Sequence, residues 1–341
     1  MIRTMRALVL EGRGRLRLAE VPLPEPREKE ALIQVRACGV CGSDLPRIFG
    51  DIAYFYPLIP GHEFAGEVVA TGSTDDAEWV GKRVAVYPLL PCRRCSHCEL
   101  GQYELCEDYG YLGSRQNGAF AEYVVAPVAN LLPLPDNLSF EEGALTEPAA
   151  VALHAVRQVG RVLGESAAVF GLGPVGLLVG IWLKLSGVRR LIGYDTDERK
   201  FPLAKSVGFD VTLYPSFFPA DKEGIDLVVE ASGNSQALLD ALKLVRKKGR
   251  VILLGNQERD VLLSPEDFGR ILRKELTIFG SWNSSFALLD SDWKKVLDLA
   301  GSGRVSFAPL ISHRIRLEEA PAFLLGMRER KIPYVKVVLI P

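Results

Sequence analysis

One stretch near the middle of the chain restricts the possible folds more than any other. The apolar run Ala167–Gly171 has the length of a buried strand, and it passes through G-L-G-P-V-G into the apolar helical stretch Leu177–Leu185. A second apolar run, Leu191–Tyr194, follows, and the alternation continues as far as Leu276–Gly280. Strands that alternate with helices form a parallel sheet covered on both faces. The pattern therefore predicts an α/β domain over residues 151–289, a doubly wound parallel sheet of the Rossmann type.

The glycines of this turn predict a dinucleotide site. Gly171 permits the tight turn, Gly173 lets the backbone approach a pyrophosphate, and Gly176 lets helix and strand pack closely. Asp195 follows Gly176 by nineteen residues, where a carboxylate binds the ribose hydroxyls. Its charge opposes a 2′-phosphate, so NAD is predicted rather than NADP, and two cations close behind it could pair with that phosphate if the carboxylate were lost. A glycine turn in an unrelated α/β domain is the alternative. The predicted cofactor-binding residues are Gly171, Gly173, Gly176, Asp195, Arg199 and Lys200.

The flanking parts of the chain predict a second domain. Up to residue 150, short apolar runs such as Ala31–Ala37 and Arg83–Tyr87 alternate with turn residues. The C-terminal part ends in another strand-like run, Val335–Ile340. We predict a β-rich, barrel-like domain over residues 1–150, with an excursion at about residues 88–110, and a mixed tail over residues 290–341.

Four of the six cysteines lie in that excursion in the pattern C-x2-C-x2-C-x7-C. They are Cys92, Cys95, Cys98 and Cys106. In an intracellular chain this spacing is typical of a metal site and not of disulfides. Four thiolates complete a tetrahedral zinc site and leave no position for a substrate, so the predicted zinc is structural. A redox cluster held by the same cysteines is the alternative.

A second group of possible zinc ligands is spread along the chain. Cys41 lies in C-G-S-D, His62 and Glu63 lie in G-H-E, and Glu147 lies in T-E-P-A-A. A catalytic zinc uses three such protein ligands and keeps one position open. Taken singly, Cys41 could be a small buried residue and His62 a core histidine with satisfied hydrogen bonds. Together with the cysteine excursion, the group predicts two zinc ions per chain, one catalytic and one structural.

These motifs in combination point to a family. The chain resembles the zinc-dependent medium-chain alcohol and polyol dehydrogenases along essentially its whole length. The pattern G-H-E-x2-G-x5-G matches from Gly61 to Gly72, although Asp75 departs from the small or apolar residue that usually closes it. Further likeness to members that act on a phosphorylated polyol lies in C-G-S-D-L-P-R-I-F, residues 41–49, and in G-S-R-x-x-G, residues 113–118.

The resemblance implies a fold and a ligand set. Residues 1–150 and 290–341 are expected to form one GroES-like catalytic domain, and Cys41 and His62 are expected to bind the catalytic zinc. Glu147 and Glu63 are both candidates for the remaining ligand, and which of them binds directly stays open. Each of the two is also a candidate for carrying the proton away.

The resemblance also implies roles for three residues after the zinc cysteine. Ser43 matches a hydroxyl that contacts the substrate alcohol, and Asp44 matches a carboxylate that orients the zinc histidine. Pro46 replaces the histidine that ends the proton relay of many alcohol dehydrogenases. The proton is therefore expected to leave through water and one of the two glutamates, as in the polyol branch.

The substrate implied by the resemblance is a phosphorylated sugar alcohol, oxidised at a secondary alcohol with NAD. Arg47 occupies the position of a substrate-contacting tyrosine in sorbitol-type relatives, so it is the predicted phosphate contact, with Arg115 second. Arg47 could instead be a solvated loop arginine. A dehydrogenase of unphosphorylated polyols or related secondary alcohols is the first rival, and an NAD-sensing or zinc-ribbon protein without turnover is the second.

Composition excludes other classes. The 41 basic and 42 acidic residues nearly balance, without the basic footprint of a nucleic-acid-binding protein. No apolar run approaches the roughly 20 residues that a membrane-spanning helix needs. We therefore predict a cytoplasmic protein whose partner is a small molecule, and the resemblance implies a homo-oligomer, either a dimer or a tetramer.

Overall fold

The computed structural model describes residues 3–215, 224–257 and 259–341. The chain divides into two units. Unit 1 comprises Met1–Glu147 and Ser285–Pro341, and unit 2 comprises Pro148–Ser284. Among the described residues, no helix combines the length and the apolar character needed to cross a membrane.

The secondary structure follows the chain in this order. The strands are β1 (Thr4–Leu10), β2 (Leu16–Pro22), β3 (Glu30–Gly39), β4 (Glu63–Thr71), β5 (Arg83–Val86), β6 (Leu89–Leu90), β7 (Gly110–Tyr111), β8 (Tyr123–Pro127), β9 (Leu131–Pro133), β10 (Ser166–Phe170), β11 (Arg190–Asp195), β12 (Asp210–Leu213), β13 (Ile225–Glu230), β14 (Val245–Leu253), β15 (Thr277–Gly280), β16 (Ile311–Arg316) and β17 (Lys336–Ile340). The helices are α1 (Asp44–Phe49), α2 (Ser96–Glu99), α3 (Phe140–Ala144), α4 (Thr146–Gln158), α5 (Pro174–Leu185), α6 (Phe201–Val207), α7 (Ser235–Leu244), α8 (Pro265–Arg273), α9 (Asp292–Gly301) and α10 (Ala320–Arg328). Short 3₁₀ helices cover Thr74–Trp79, Tyr103–Leu105, Val128–Asn130, Glu198–Lys200 and Ala308–Leu310.

Unit 2 is built on a six-stranded sheet in the order β12-β11-β10-β13-β14-β15. All of its strand pairs are parallel. The first strand of unit 2 in chain order, β10, lies inside the sheet between β11 and β13, and every residue of it is buried. This doubly wound order confirms the predicted Rossmann-type sheet. Ligands of such sheets bind beyond the carboxyl ends of the strands, where the winding reverses beside the first strand.

Unit 1 contains a seven-stranded sheet in the order β16-β17-β3-β4-β5-β9, with β8 also paired to β3. The central strand β3 therefore contacts β17 from the C-terminal part, β4 and β8. Its apolar side chains enter a core that includes Leu8, Phe64 and Phe120, all at most 1% exposed. The predicted β-rich fold agrees with this sheet, whose strands β16 and β17 come from the C-terminal part of the chain.

Helix α1, which turned out to carry much of the candidate site, was not predicted. It has only six residues, too few for a helical period to show in the sequence. Its Pro46 lies in the first turn, where a proline removes no hydrogen bond of the helix. Strand β2 was also missed; it pairs along its full length with β1.

Position in the core should decide the effect of shortening a leucine in unit 1. Leu339 of β17 is 0% exposed, whereas Leu289 is 96% exposed. We expect Leu339→Ala to lower the free energy of unfolding by about 2–5 kcal/mol, because it leaves a cavity between packed strands. Leu289→Ala is the matched control and should change it by less than about 0.5 kcal/mol. Equal midpoints for the two variants in thermal unfolding would contradict the core assignment.

Candidate active site

Asp44 connects the residues around the first candidate metal site. It opens α1, is 0% exposed, and its Oδ2 accepts a hydrogen bond from the backbone N–H of Cys41 at 3.0 Å. Its Oδ1 lies 3.6 Å from Nδ1 of His62. The Ser43 hydroxyl, next to it, donates to Cys41 Sγ at 3.3 Å. The loop before α1 thus presents a thiol and a hydroxyl together, with a carboxylate behind the imidazole that can orient it.

Cys41, His62 and Glu63 converge on one point. Their ligand atoms all lie within 4.8 Å of one another. Burial, followed by the nearby carboxylates of Glu63 and Asp44, raises the pKa of the Cys41 thiol to about 12. A cluster of buried acidic groups loses its protons readily only when a cation joins it. A thiol, an imidazole and a carboxylate are zinc ligands, so this donor set fits a zinc ion that keeps one position open.

A buried lysine holds the carboxylate of this group. Lys336, on β17, forms an ion pair with Glu63 and donates to the Val40 carbonyl at 2.9 Å. Glu63 is 1% and Lys336 2% exposed. Burial lowers the pKa of Lys336, but Glu63 and Cys41 outweigh it, and the pKa is raised overall.

The missing side chain of Gly39 makes room for this ion pair. Gly39 lies on β3 between the two strands, paired with Glu63 on one side and with Val338 on the other. A Cβ atom at Gly39 would lie 2.2 Å from Glu63 Oε2 and 3.0 Å from Lys336 Cε. Only a glycine at this position lets the two side chains meet across β3.

Glu147 lies beside this group but is not one of its three converging ligands. Tyr111 donates a hydrogen bond to Glu147 Oε1 at 3.1 Å, and its ring contacts the His62 ring edge-on, with centroids 5.6 Å apart. The pKa of Glu147 is raised to about 7, chiefly by burial, with His62 opposing the rise and Glu63 adding to it. A carboxyl group with such a pKa can exchange protons near neutral pH.

The four cysteines of the excursion also come together. The Sγ atoms of Cys92, Cys95, Cys98 and Cys106 all lie within 4.8 Å of one another. Backbone N–H groups of Glu107 and Cys98 lower the pKa of Cys95 to about 6, and the backbone N–H of Arg94 lowers the pKa of Cys92. Burial instead raises the pKa of Cys98 to about 12, so the loop favours the thiolate form of Cys92 and Cys95, and a closed set of four sulfur ligands fits a structural zinc.

The two arginines predicted as phosphate contacts have different surroundings. Arg47 on α1 is 9% exposed, and its Nη1 donates to Asp44 Oδ1 at 3.0 Å, while its Nε is buried without a hydrogen-bond partner among the described residues. Arg115 is exposed. Its guanidinium lies over the rings of Tyr54 and Tyr109, 4.7 and 4.4 Å from their centroids. Arg47 is therefore not the solvated loop arginine of the alternative interpretation.

In unit 2, the predicted glycines surround the start of α5. Gly171 has φ +93°. Gly173 is the N-cap of α5, and a Cβ there would meet no atom within 4 Å, so the backbone is open to an approaching group. A Cβ at Gly176 would lie 1.9 Å from the Gly171 carbonyl oxygen. The start of a helix with its N–H groups exposed beside the first strand fits a pyrophosphate.

Asp195 ends β11 beside this turn, and its carboxylate already has hydrogen-bond and ion-pair partners. It accepts from the backbone N–H of Leu172 at 2.7 Å, and Lys200 Nζ lies 2.9 and 3.1 Å from its two oxygens. Arg199 instead forms two hydrogen bonds with Asp197, at 2.7 and 2.8 Å. Of the two predicted cations, only Lys200 faces the carboxylate.

Sequence reasoning missed three polar residues of these sites. Lys336 and Tyr111 contact the metal-site glutamates, and Glu230 lies at the carboxyl end of β13. The Glu230 carboxylate is 0% exposed and accepts from the backbone of Ser232 at 2.7 Å and from Gln257 Nε2 at 3.0 Å. A single lysine inside an apolar strand, V-K-V-V-L, was the only available signal for Lys336.

Comparison with known proteins identifies the class that this fold and these sites define. Residues 27–136 match the alcohol dehydrogenase GroES-like domain, and residues 174–302 match the zinc-binding dehydrogenase domain. The chain belongs to the zinc-containing medium-chain alcohol and polyol dehydrogenase family, and it is an oxidoreductase by that membership.

Individual members of this family are similar to the chain over nearly its whole length. The chain is 35% identical to galactitol 1-phosphate 5-dehydrogenase of Escherichia coli K12, over 99% of this chain and 100% of that protein. It is 31% identical to sorbitol dehydrogenase of Bacillus subtilis, over 99% of this chain and 97% of that protein. The crystal structure of galactitol-1-phosphate dehydrogenase from Escherichia coli superimposes with a TM-score of 0.91 at 34% identity. The match covers 99% of this chain and 100% of that chain. The structure of a candidate zinc-binding dehydrogenase from Sinorhizobium meliloti, bound to NADP, superimposes with a TM-score of 0.88 at 32% identity. The match covers 99% of this chain and 100% of that chain.

The ion pair under the metal site leads to a stability prediction. Lys336→Met should lower the free energy of unfolding by about 3–5 kcal/mol, because it leaves the Glu63 carboxylate buried without a counter-charge. Adding Glu63→Gln to it should recover most of the loss. Lys331→Met, at a lysine whose side chain is 73% exposed, is the matched control and should change little. Denaturation in guanidinium chloride measures the parent and the three variants, and a Lys336→Met variant as stable as the parent would refute the buried pair.

Proposed function

We propose that the protein oxidises a secondary alcohol of a polyol phosphate and transfers the hydride to NAD, with galactitol 1-phosphate as substrate and tagatose 6-phosphate as product. The observation that carries the reaction type is the convergence of Cys41, His62 and Glu63 in a family of zinc-dependent dehydrogenases. The substrate class rests on full-length similarity to galactitol 1-phosphate 5-dehydrogenase of Escherichia coli.

Each residue around Cys41 has a separate task in this reaction. Zinc, held by Cys41, His62 and one of the two glutamates, would act as a Lewis acid on the substrate oxygen. Asp44 keeps the His62 ring in place through Nδ1. Ser43 offers its hydroxyl to the substrate alcohol from beside the thiol, and orients it for loss of the proton.

Glu147 is the proposed acceptor of that proton. Its pKa of about 7 leaves a substantial ionised fraction at neutral pH. Tyr111 donates to the carboxylate and so stabilises its charged form. Glu63, which converges with Cys41 and His62 and is paired with Lys336, is the glutamate proposed to bind the metal, directly or by exchange.

The cofactor half of the proposal rests on unit 2. Backbone N–H groups at the start of α5, with Gly173 as the N-cap, would bind the pyrophosphate, and Asp195 would accept from the ribose hydroxyls. Bound nicotinamide supplies the hydride acceptor, while the chain positions it and excludes water. A relative with bound NADP makes the choice between NAD and NADP a point to be tested.

A dehydrogenase of unphosphorylated polyols is the second candidate. It is favoured by the 31% identity with sorbitol dehydrogenase of Bacillus subtilis, which is lower than the identity with the phosphate enzyme but covers nearly the whole chain. A homo-oligomeric state, dimer or tetramer, and a cytoplasmic location stay predictions from the sequence.

One experiment separates the two candidates. NADH formation is followed with matched pairs of substrates, each polyol with and without its phosphate, beginning with galactitol and sorbitol. A kcat/KM at least tenfold higher for the phosphorylated member supports the proposal. Higher values for free polyols would establish the second candidate, and no turnover with any alcohol in the zinc-loaded protein would revive a binding function.

The two cysteine sites should respond differently to loss of one thiol. Elemental analysis of the parent should give two zinc ions per chain. Cys41→Ser should keep the structural zinc and the folded state but lose turnover. Cys95→Ser should lose the structural zinc and lower the thermal midpoint, because the loop depends on the metal for its fold. One zinc per chain in fully active parent protein would contradict the two-site assignment.

Charge at Asp195 should control the choice of cofactor. Asp195→Asn keeps an acceptor for the Leu172 N–H but frees Lys200 to pair with a 2′-phosphate. The ratio of kcat/KM for NADP to that for NAD should rise by about tenfold or more, equivalent to about 1.4 kcal/mol. Adding Lys200→Ala should cancel the gain, whereas Arg199→Ala should leave the ratio unchanged, because Arg199 is bound to Asp197. A parent enzyme that prefers NADP would contradict this role of Asp195.

A further inference from the structure

Arg115 is a cation without an acidic partner. It forms no ion pair with any carboxylate among the described residues, and its only side-chain hydrogen bonds go to the Tyr109 carbonyl and to the Tyr54 hydroxyl, both at 3.3 Å. A guanidinium has five N–H donors, so three remain available. Its guanidinium also lies over the two tyrosine rings at cation–π distance. The remaining donors are therefore available to an anion.

The loop that carries Arg115 is built onto the metal-site backbone. Cβ atoms at Gly113 and Gly118 would lie 2.4 and 2.1 Å from the carbonyl oxygen of Gly61, the residue before His62. The N–H of Ala119 donates to that same oxygen at 2.9 Å. No larger residue could replace either glycine without moving the loop away. The position of Arg115 is thus tied to that of His62.

Aromatic contacts lead from His62 to Arg115. The rings of His62 and Tyr111 are 5.6 Å apart, those of Tyr111 and Tyr109 are 6.4 Å apart, and the guanidinium lies 4.4 Å from the Tyr109 ring. The cation is therefore separated from the metal site by two rings. A phosphate bound at Arg115 would therefore belong to a substrate whose anionic group is several bonds away from the reacting carbon.

Arg47 is a poor second candidate for the same role. Its side chain is 10% exposed, and it is committed to Asp44, which in turn contacts Cys41 and His62. One buried N–H, at Nε, remains unused. Movement of Arg47 toward a ligand would leave the buried Asp44 carboxylate with one partner fewer.

We propose that Arg115, held between Tyr54 and Tyr109, binds the phosphate of the substrate, and that Arg47 is a positioning residue that acts through Asp44. The proposal rests on the proposed function, in that it requires a phosphorylated polyol as substrate. Arginine binds phosphate through paired, charge-assisted hydrogen bonds, and a guanidinium held in place by rings loses little freedom on binding.

Kinetics with the paired substrates test the assignment. Arg115→Ala should raise KM for the phosphorylated polyol about tenfold to a hundredfold and leave kcat/KM for the free polyol nearly unchanged. Inorganic phosphate should inhibit the parent competitively and inhibit this variant at least tenfold more weakly. Tyr54→Leu should give an intermediate KM. Arg304→Ala removes an exposed arginine elsewhere in unit 1 and should have no effect.

Arg47→Ala gives the complementary result. It should lower kcat/KM for both substrates by the same factor and lower the zinc content of purified protein, with phosphate inhibition unchanged. Equal effects of Arg115→Ala on both substrates, or a phosphate-specific loss in Arg47→Ala, would overturn the assignment. A parent enzyme with no preference for phosphorylated polyols would overturn the proposed substrate itself, a result visible before any variant is made.

Discussion

A carboxylate and an ammonium group meet inside the sheet of unit 1, where neither is reached by water. Glu63 and Lys336 are each at most 2% exposed, and each alone would be a buried charge costing several kcal/mol. Their contact needs three neighbouring strands in register and a glycine, Gly39, on the middle one. Since Glu63 directly follows His62, the geometry of the candidate metal site depends on this pair, and so does the alignment of β17 with β3.

Local patterns in the sequence were enough to predict the sites whose residues lie close together in the sequence. The turn at Gly171–Gly176 and the cysteines from Cys92 to Cys106 are each contained in one short stretch, and the structure brings each set together. Lys336 and Tyr111 could not be predicted in the same way. They reach Glu63 and Glu147 through strand register and loop packing, which no short segment of sequence records.

The two arginines show why residue type and spacing are insufficient for assigning a substrate contact. Both follow conspicuous motifs, and both are cations near the candidate metal site. What separates them is local geometry: the short helix α1 turns Arg47 back onto Asp44, whereas the loop after Tyr111 exposes Arg115 between two rings. A helix of six residues leaves no periodic signal, so the burial of Arg47 was outside the reach of sequence patterns.

Unit 2 is formed by one continuous stretch of chain, and unit 1 by the two stretches on either side of it. During synthesis, the whole of unit 2 is therefore available to fold before β17 has been made. Domains generally fold as units as the chain emerges. The parallel sheet of unit 2 can thus be complete while the candidate metal site still lacks Lys336, and a chain that stops before β17 would keep that sheet without gaining that site. Synthesis order therefore delays completion of the candidate metal site until after the sheet of unit 2 can form.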